Sequence, residues 1–519
     1  MNLLVCDFGL PSSAFPNLSF NVIALFSLYL GIPIAMRVLL CALFFFMSQT
    51  VFSQSNISWN MAMSVASSSS GNNHPRIATD ANGNPLVLWW HASRAMFSRW
   101  NGTAFTAPVL INPASMTVAG AGWMGPDIAA HGDTVYVVFK QSPEGSDSSH
   151  IFCARSFDGG QTFNTPVRVD NIADSLSRFP TVTTDDSGNP IIGFMKFNSS
   201  FLESRWVVAR SSDFGNTFSI DTKASGWSSP TSVICDCCPG ALVSTANTVA
   251  MLYRDNNSDI RDIWAGMSYD GGNSFVSGMD IDQSSWVINA CPATGPDGIV
   301  IGDTLYSTYM SAASGNSLVY WSATSLSAMN GSQGLELTGN FAGLTQQNYP
   351  RIASDGTALA VVWKQRVNGT DQCMLRFSPE ATSFNASTPD TIDQGDVTNA
   401  DVAMVNGNIY IVWQDDMSGT VQFRSGSYSG TTNVQETNLI ESFSVYPNPA
   451  ENKIQFQFLN HHQSFDIRIL DLSGKEILKR EFVGNENPEM DTRDLASGMY
   501  LVQMRSEKFV STKKLGIVK

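Results

Sequence analysis

The sequence predicts an all-β protein in which a β-propeller is followed by a small C-terminal β-sandwich. Three features of the chain lead to this fold class. A turn motif, Ser-x-Asp-x-Gly-x-Thr/Ser-Phe, occurs three times at intervals of about 55 residues. Seven segments share one pattern of three strand signals, and alternating strands with glycine turns fill the last part of the chain.

The composition agrees with many short strands joined by tight turns. Hydrophobic residues make up 43% of the 519 residues and charged residues only 14%, with 40 glycines and 31 phenylalanines. The net charge of −15 argues against a nucleic-acid partner, because phosphate binding needs a basic surface. A chain of this length has room for two or three domains.

The three copies of the turn motif have a structural explanation. The aspartate accepts hydrogen bonds from backbone amides, the glycine supplies a positive φ, and the phenylalanine is expected to fill the gap between neighbouring sheets. The motif positions are Ser156, Asp158 and Gly160, then Ser211, Asp213 and Gly215, and last Ser268, Asp270 and Gly272. They resemble the Asp box, or BNR repeat, of sialidase-like β-propellers. This resemblance implies the fold but no activity, because the box is a structural turn.

Residues 55–432 are predicted to form the propeller. Each unit contains a proline-containing start, an apolar run that ends in aromatic residues, and an alternating run. Seven units predict seven four-stranded blades. Because no blade can bury both of its faces alone, neighbouring blades are expected to stack and to close a ring. The segment 57–66 is expected to add the outer strand that closes the ring. Six blades, the number in sialidases, would result if one unit were an insertion.

Two apolar stretches precede the propeller. Met36-Arg37, an apolar run and small residues near Ser53 form the pattern of a secretory signal peptide at 36–54. Residues 1–35 are then an upstream extension, and translation is expected to start at Met36. A membrane anchor of roughly 20 apolar residues is the alternative.

The pattern changes after a predicted linker at 433–443. Residues 444–519 contain alternating strands with glycine turns, which predict a β-sandwich. This segment resembles the type A C-terminal sorting domain of the type IX secretion system in three elements: Tyr446-Pro447-Asn448-Pro449, Leu495-x-x-Gly498-x-Tyr500, and the closing strand with Lys513 and Lys514. The resemblance implies the secretion machinery as a partner and export to the outside, or to the outer surface, of a Gram-negative bacterium, with removal of the tail.

Four cysteines occupy the starts of two successive units: Cys235, Cys237, Cys238 and Cys291. Because an oxidising export route favours disulfides over thiols, two bridges are expected, and their pairing stays open. Unpaired thiols, or one zinc or copper(I) ion held by four thiolates, are the alternatives. No resident metal or other cofactor is predicted. Cys153 and Cys373 lie in strands of distant units and are expected to be buried and unreactive.

Charged residues cluster at one predicted face of the propeller. The loops that enter the first strand of each blade and those that leave the second strand share this face. Seven residues are predicted there as ligand contacts: Arg76, Arg178, Arg254, Asp255, Arg351, Lys364 and Asp415. Such a mixture of cations and carboxylates at a funnel mouth suits an anionic sugar.

The sequence resembles the sialidase scaffold but does not show the full set of catalytic residues. Such an enzyme needs three arginines around the substrate carboxylate, a Tyr–Glu nucleophile pair and an acidic Asp. Arg76-Ile77 and Arg351-Ile352 keep part of the family's arginine motif, and Glu144 and Glu203 are the only clear loop glutamates between units two and four. The sequence therefore favours a non-catalytic module that binds a glycan or a surface partner. A divergent sialidase-like glycoside hydrolase is the first alternative, and a cysteine-bound metal or redox role is the second.

Overall fold

The computed structural model describes residues 57–65, 70–145, 149–171, 175–329, 333–380, 384, 388–428, 443–458, 464–471, 475–483, 489–505 and 510–519. The chain divides into two compact units, Met1–Ser429 and Gly430–Lys519. The predicted upstream extension, the predicted signal peptide and all of the predicted linker except Phe443 lie outside the described residues. Within the part of the chain that the structure describes, no helix has the length and apolar character needed to span a bilayer.

The larger unit consists of short antiparallel strands. In chain order they are β1 (Ile57–Trp59), β2 (Met63–Ser64), β3 (Asn72–Thr79), β4 (Pro85–His91), β5 (Arg94–Arg99), β6 (Val109–Leu110), β7 (Thr117–Val118), β8 (Asp127–His131), β9 (Thr134–Ser142), β10 (Ile151–Ser156), β11 (Val167–Arg168), β12 (Ser175–Thr184), β13 (Pro190–Asn198), β14 (Arg205–Arg210), β15 (Thr222–Lys223), β16 (Val233–Ile234), β17 (Ala241–Thr245), β18 (Thr248–Asn256), β19 (Ile263–Ser268), β20 (Ser277–Asp280), β21 (Asp297–Ile301), β22 (Thr304–Ser311), β23 (Leu318–Ser325), β24 (Leu335–Glu336), β25 (Leu344–Ser354), β26 (Leu359–Val367), β27 (Thr370–Ser378), β28 (Asp390–Gly395), β29 (Val397–Val405), β30 (Asn408–Asp415) and β31 (Thr420–Tyr428).

These strands form seven sheets of four or five strands among the described residues. The sheets are β3 to β6, β7 to β11, β12 to β15, β16 to β20, β21 to β24, β25 to β28, and β29 to β31 with β1 and β2. The innermost strands of neighbouring sheets contact one another in cyclic order: β3, β8, β12, β17, β21, β25, β29 and β3 again. The larger unit is therefore a closed β-propeller, as the repeats predicted.

The N-terminal strand of the described chain closes the ring. β1 pairs antiparallel with β31, with Ile57 opposite Tyr428 and Trp59 opposite Gly426. The Trp59 indole also donates a hydrogen bond to Asp390 at 3.2 Å. The last sheet thus takes its outer strand from the start of the propeller, which confirms the closure predicted for this segment.

Alternating side chains join each sheet to both of its neighbours. In β9, Val135, Val137 and Phe139 pack with the first sheet, whereas Tyr136 and Val138 pack with the third. Both faces of such a strand are buried, so its sequence is almost continuously apolar instead of alternating with polar residues. This explains the apolar run in the middle of every unit.

The three Ser-x-Asp turns lie at the end of the sheets opposite the loops that enter the innermost strands. In the first turn, Asp158 accepts the amides of Gln161 and Thr162 at 2.9 Å and the Ser156 hydroxyl at 2.7 Å. Gly160 has a φ of 80°, which the turn requires. The second and third turns repeat this pattern with Ser211, Asp213 and Thr217, and with Ser268, Asp270 and Ser274.

The phenylalanine that ends each turn motif packs between two sheets. Phe163 joins the apolar cluster shared by the first and second sheets, with its ring 5.1 Å from that of Phe97 in edge-to-face geometry. Phe218 and Phe275 pack against the clusters between the next two pairs of sheets. These three turns therefore fasten the second, third and fourth sheets each to the sheet before it in the ring.

The smaller unit has a separate core. Its strands are β32 (Phe443–Tyr446), β33 (Lys453–Phe458), β34 (Ser464–Leu470), β35 (Glu476–Val483), β36 (Glu489–Asp491), β37 (Gly498–Arg505) and β38 (Val510–Ile517). They form one sheet in the order β32, β33, β36 and another in the order β35, β34, β37, β38. Apolar residues of both sheets, such as Phe456 and Ile467, share one core. This confirms the predicted β-sandwich.

We expect the propeller to lose stability in acid as its turn aspartates become protonated. Burial raises the pKa of Asp158, yet hydrogen bonds from Thr162 and its neighbours outweigh it and lower that pKa to about 2. Hydrogen bonds from Ser274 lower the pKa of Asp270 to about 2. The pKa of an unfolded Asp is about 3.9, so this stabilisation is complete above that pH and is lost as the pH falls from about 4 to 2.

The double variant Asp158→Asn with Asp270→Asn removes both titrating groups. The difference between its melting temperatures at pH 6 and pH 3 should be smaller than in the unchanged protein. Asp186→Asn, at an exposed loop position, is the control and should behave like the unchanged protein. An equal acid dependence in all three proteins would contradict this role of the turns.

Candidate functional site

Residues within the innermost strands of four sheets, and in the segments that lead into the innermost strands of the other three, line one open pocket. Every sheet contributes to its wall: His74 and Arg76, Trp123 to Asp127, Phe179 to Thr181, Pro239 and Gly240, Thr294 to Pro296, Tyr349 to Arg351, and Asn399 with Ala400. We call it the axial pocket. An opening shared by all sheets of a ring is a usual place for ligand binding, because loops with different side chains meet there on a rigid scaffold.

A repeated irregularity of the backbone lies at this opening. His74, Phe179, Tyr349 and Asn399 have left-handed φ angles of 55°, 50°, 51° and 49°, which residues other than glycine rarely adopt. The strand pairing shifts register at each of the four places. Such bulges turn a side chain away from the regular pattern in which successive side chains point to opposite faces of the sheet. All four of these residues line the axial pocket.

Two arginines and three aspartates form an ionic group at the pocket, which we call the axial charge cluster. Arg351 Nε lies 3.0 Å from Asp401 Oδ1 and 3.4 Å from Asp297 Oδ2. Arg76 Nε lies 3.8 Å from Asp127 Oδ1. The side chains are mostly buried, the most exposed being Arg351 at 23%. Each arginine therefore already faces a carboxylate of the protein.

The carboxylates of the axial charge cluster also connect neighbouring sheets. Asp127 accepts the amide of Val182 at 3.1 Å, which joins the second sheet to the third. Asp297 accepts the amide of Ile352 at 2.9 Å, joining the fifth sheet to the sixth. Asp401 accepts the amide of Ile77 at 3.0 Å, joining the seventh sheet to the first. These aspartates thus have a structural role in closing the ring.

Burial and mutual attraction set the protonation of the cluster. Burial opposes the charge of Arg351, yet the carboxylates of Asp297 and Asp401 outweigh it and raise the Arg351 pKa. Burial raises the pKa of Asp297, although Arg351 opposes the shift. Burial, with repulsion from Arg76 and Arg351, lowers the pKa of His74 well below its usual value. His74 is therefore neutral, and its Nε2 accepts a hydrogen bond from Arg76 Nη2 at 2.7 Å.

Arg178, predicted as a ligand contact, is not among the residues that line the axial pocket. Its Nη2 donates to Glu144 Oε2 at 2.8 Å, and its guanidinium lies 5.0 Å from the centre of the Phe197 ring. Glu144 also pairs with Lys140 at 3.0 Å. One of the two loop glutamates singled out in the sequence is thus held by two cations of the protein.

Two further predicted contacts, Lys364 and Asp415, also lie outside the pocket wall. Lys364 Nζ lies 2.7 Å from Asp371 Oδ2. Asp415 accepts the amides of Met417 and Ser418 in the turn that follows β30. Of the seven predicted contacts, the structure brings only Arg76 and Arg351 together at the axis.

Arg254 and Asp255 are buried, with 0% and 1% of their surface exposed. The Arg254 guanidinium donates to the carbonyls of Arg261 and Met310 at 2.7 Å and of Thr294 at 3.3 Å. Among the residues that the structure describes, no carboxylate forms an ion pair with it. Burial raises the pKa of Asp255 to about 6. Neither side chain lines the axial pocket, so a ligand there does not reach them.

The four predicted cysteines gather in one place, with all four Sγ atoms within 4.8 Å of one another. Cys237 and Cys291 form a disulfide between the loops that enter the fourth and fifth sheets. Cys235 Sγ lies 2.9 Å from Cys238 Sγ and 3.5 Å from Cys237 Sγ. With Cys237 and Cys291 bonded to each other, two thiols remain, fewer than the four ligands of a structural zinc site. We call these residues the cysteine cluster.

The two thiols of the cysteine cluster differ in acidity. A hydrogen bond from Cys238 and the positive charges of Arg261 and Arg254 lower the pKa of Cys235. Burial raises the pKa of Cys238. Elsewhere, burial raises the pKa of Cys153 to about 12, and it also raises that of Cys373. Both are buried free thiols, which agrees with the unreactive role expected for them.

The sequence interpretation missed the aromatic wall of the pocket. Trp123, with 38% of its surface exposed, and Phe179 and Tyr349 line it, but none was predicted as a site residue. Phe179 and Tyr349 directly precede Pro180 and Pro350 at the start of their units, and this shared position is the signal that could have found them.

Comparison with known proteins identifies the tail. Residues 444–519 match the family described as the secretion system C-terminal sorting domain. This confirms the predicted tail and indicates export through the type IX secretion system to the cell surface or the extracellular space. No curated protein matches the sequence.

Several solved structures are similar to the chain at low identity. A protein of unknown function from Dyadobacter fermentans is 10% identical, with a TM-score of 0.44, covering 72% of this chain and 100% of its own. The GH93 α-L-arabinofuranosidase of Fusarium graminearum is 9% identical, with a TM-score of 0.44 and coverages of 72% and 98%. A Trypanosoma rangeli sialidase mutant displaying trans-sialidase activity is 8% identical, with a TM-score of 0.39 and coverages of 86% and 83%.

We expect Arg351→Ala to destabilise the propeller by about 3–5 kcal/mol, because it leaves Asp297 and Asp401 buried without their cation. The control is Arg366→Ala: the Arg366 side chain is 51% exposed and its Nε lies 3.7 Å from Asp371, which keeps Lys364 as a closer cation. Loss of such an exposed arginine costs less than about 1 kcal/mol. The free energies of unfolding are measured in urea, and a loss of less than about 1 kcal/mol for Arg351→Ala would contradict a stabilising role of the axial charge cluster.

Proposed function

We propose that this exported propeller binds a glycan in the axial pocket without cleaving it. The observation that carries the proposal is the combination of aromatic and polar side chains in the pocket wall. Trp123, which is 38% exposed, and Tyr349, which is partly exposed, line it together with Arg76, whereas Phe179 and Asn399 are only 5% and 3% exposed. Sugar rings present apolar C–H faces and hydroxyl edges, so a site of this composition can pack against the faces and hydrogen-bond the edges.

The pairing of charges favours a neutral sugar over the anionic sugar expected from the sequence. Arg351 faces Asp297 and Asp401, and Arg76 faces Asp127. A ligand carboxylate would have to compete with these protein carboxylates for the same guanidinium groups. Because the aspartates also hold backbone amides of neighbouring sheets, displacing them would weaken the ring.

Hydrolysis is the alternative function, and the carboxylates at the pocket argue against it. Glycosidases of the common types use two carboxyl groups, one on each side of the bond that is cleaved. Asp127 is the only carboxylate in the pocket wall formed by the described residues. It accepts the amide of Val182 and faces Arg76, which ties it to the scaffold. This arrangement supports binding better than catalysis.

We expect Trp123→Ala and Tyr349→Ala to weaken binding on a glycan array by roughly tenfold or more, because each removes an aromatic surface on which a sugar can pack. Tyr269→Ala is the control, since Tyr269 is 44% exposed but belongs to a Ser-x-Asp turn at the opposite end of the sheets. Arg351→Ala is unsuitable for this purpose, because it is expected to unfold the ring.

Two outcomes would overturn the proposal. The first is an array without a glycan signal, or with the same signal for all three variants. The second is release of the fluorophore from a fluorogenic sialoside or neutral glycoside by the purified chain. If Asp127→Asn abolished such release while the protein stayed folded, the pocket would be the active site of a hydrolase.

A further inference from the structure

The cysteine cluster has a buried part and an exposed part. Cys235 and Cys238 are 0% exposed, whereas Cys237 is half-buried and Cys291 is exposed. Cys235 and Cys238 are separated by two residues, the C-x-x-C spacing at which two thiols can form a disulfide with each other. Any thiol or disulfide that arrives from solvent therefore meets Cys291 first. Both buried cysteines have their sulfur atoms within 4.0 Å of Cys237 Sγ, which belongs to the outer bridge.

We propose that the cysteine cluster is a thiol–disulfide exchange site that passes two electrons from the buried Cys235–Cys238 pair to an external disulfide through Cys237 and Cys291. The external substrate is a solvent-accessible disulfide of a small molecule or a peptide. This activity is independent of glycan binding.

The exchange runs in two steps inside the protein. The Cys235 thiolate attacks Cys237 Sγ, so that a Cys235–Cys237 bond forms, the Cys237–Cys291 bond breaks and Cys291 leaves as a thiolate. Cys238, whose proton passes to a released thiolate, then attacks Cys235, so that a Cys235–Cys238 bond forms and Cys237 is released. The buried pair has lost two electrons and the outer pair has gained them.

The outer pair then reacts with the external disulfide. Cys291 attacks one of its sulfur atoms and releases one thiol. Cys237 attacks the resulting mixed disulfide at Cys291, restores the Cys237–Cys291 bond and releases the second thiol. The protein ends with two bridges, and the external disulfide ends as two thiols.

The positions of the sulfur atoms favour this order. The attacking Cys235 Sγ lies 3.5 Å from Cys237 Sγ, in contact with the bond it must break. Cys238 Sγ lies 2.9 Å from Cys235 Sγ, longer than a disulfide bond of about 2.05 Å but close enough to resolve the intermediate.

The electrostatic surroundings favour a thiolate at Cys235. Its amide donates to the carbonyl of Arg254 at 3.0 Å, which places the cysteine beside this buried arginine. The guanidinium of Arg254 has only carbonyl acceptors within the described chain. The positive charges of Arg261 and Arg254 both favour the thiolate form of Cys235.

The first test locates the bridge in the full-length protein. The chain is brought to one bridge per molecule by limited reduction, quenched in acid, alkylated in denaturant and mapped by mass spectrometry. We expect the bridge at both Cys237–Cys291 and Cys235–Cys238, and Cys238→Ser should trap Cys235–Cys237 with an alkylated Cys291. A bridge found only at Cys237–Cys291, or four thiols holding a metal ion in elemental analysis, would overturn the proposal.

The second test measures electron transfer to the aromatic disulfide 5,5′-dithiobis(2-nitrobenzoate). The one-bridge protein should release two more equivalents of its coloured thiol than the double variant Cys235→Ser with Cys238→Ser releases. The double variant Cys237→Ser with Cys291→Ser should react roughly tenfold or more slowly, because the buried pair then has no exposed cysteine through which to reach the external disulfide. Cys373→Ser, at a buried thiol in another sheet, is the control and should match the unchanged protein. Equal rates for the second double variant and the unchanged protein, with both folded by circular dichroism, would exclude the exchange path.

Discussion

The structure depends on the way buried carboxylates join neighbouring sheets at the axis of the propeller. Asp127, Asp297 and Asp401 each accept a backbone amide from the next sheet in the ring, and each faces an arginine. A buried charge is tolerated only when it is paired and hydrogen-bonded. The same side chains therefore close the ring and determine which charged groups stay unpaired and able to bind a ligand. The proposed preference for a neutral ligand follows from this pairing, since Arg76, Asp127 and Arg351 of the pocket wall already pair within the protein.

The two ends of the sheets are held together by different chemistry. At the axis, charged groups pair across sheets, while at the opposite end the Ser-x-Asp turns form local hydrogen bonds and insert a phenylalanine between sheets. The turns need only residues close in sequence, so they recur as a recognisable motif. The axial pairs join residues 50 or more positions apart, such as Arg351 and Asp401. No local pattern identifies such pairs.

This difference explains what the sequence could predict. The strands, the turns and the sorting domain followed from periodicity and motifs, because these are set by local rules, and the ring closure followed from the number of strands in the first and last units. Tyr349 was missed because a bulge with a left-handed φ turns its side chain into the pocket. Arg254 was expected at the opening, yet three carbonyl groups hold its guanidinium inside the protein. The cysteines were expected together from their equivalent positions, but their pairing depends on the path of two loops.

The cysteine cluster and the axial pocket share these two loops. Pro239 and Gly240 follow Cys238 in the pocket wall, and Thr294 and Gly295 follow Cys291. The loops are in close contact, since a Cβ atom at Gly295 would lie 1.9 Å from the carbonyl oxygen of Pro239. Opening the Cys237–Cys291 bridge would break a covalent link between two segments of the pocket wall. Forming the Cys235–Cys238 bridge would add a covalent link within one of these segments. The exchange chemistry itself needs no glycan, yet a change in the redox state of the cysteines would alter the covalent links behind the part of the wall proposed to bind a glycan.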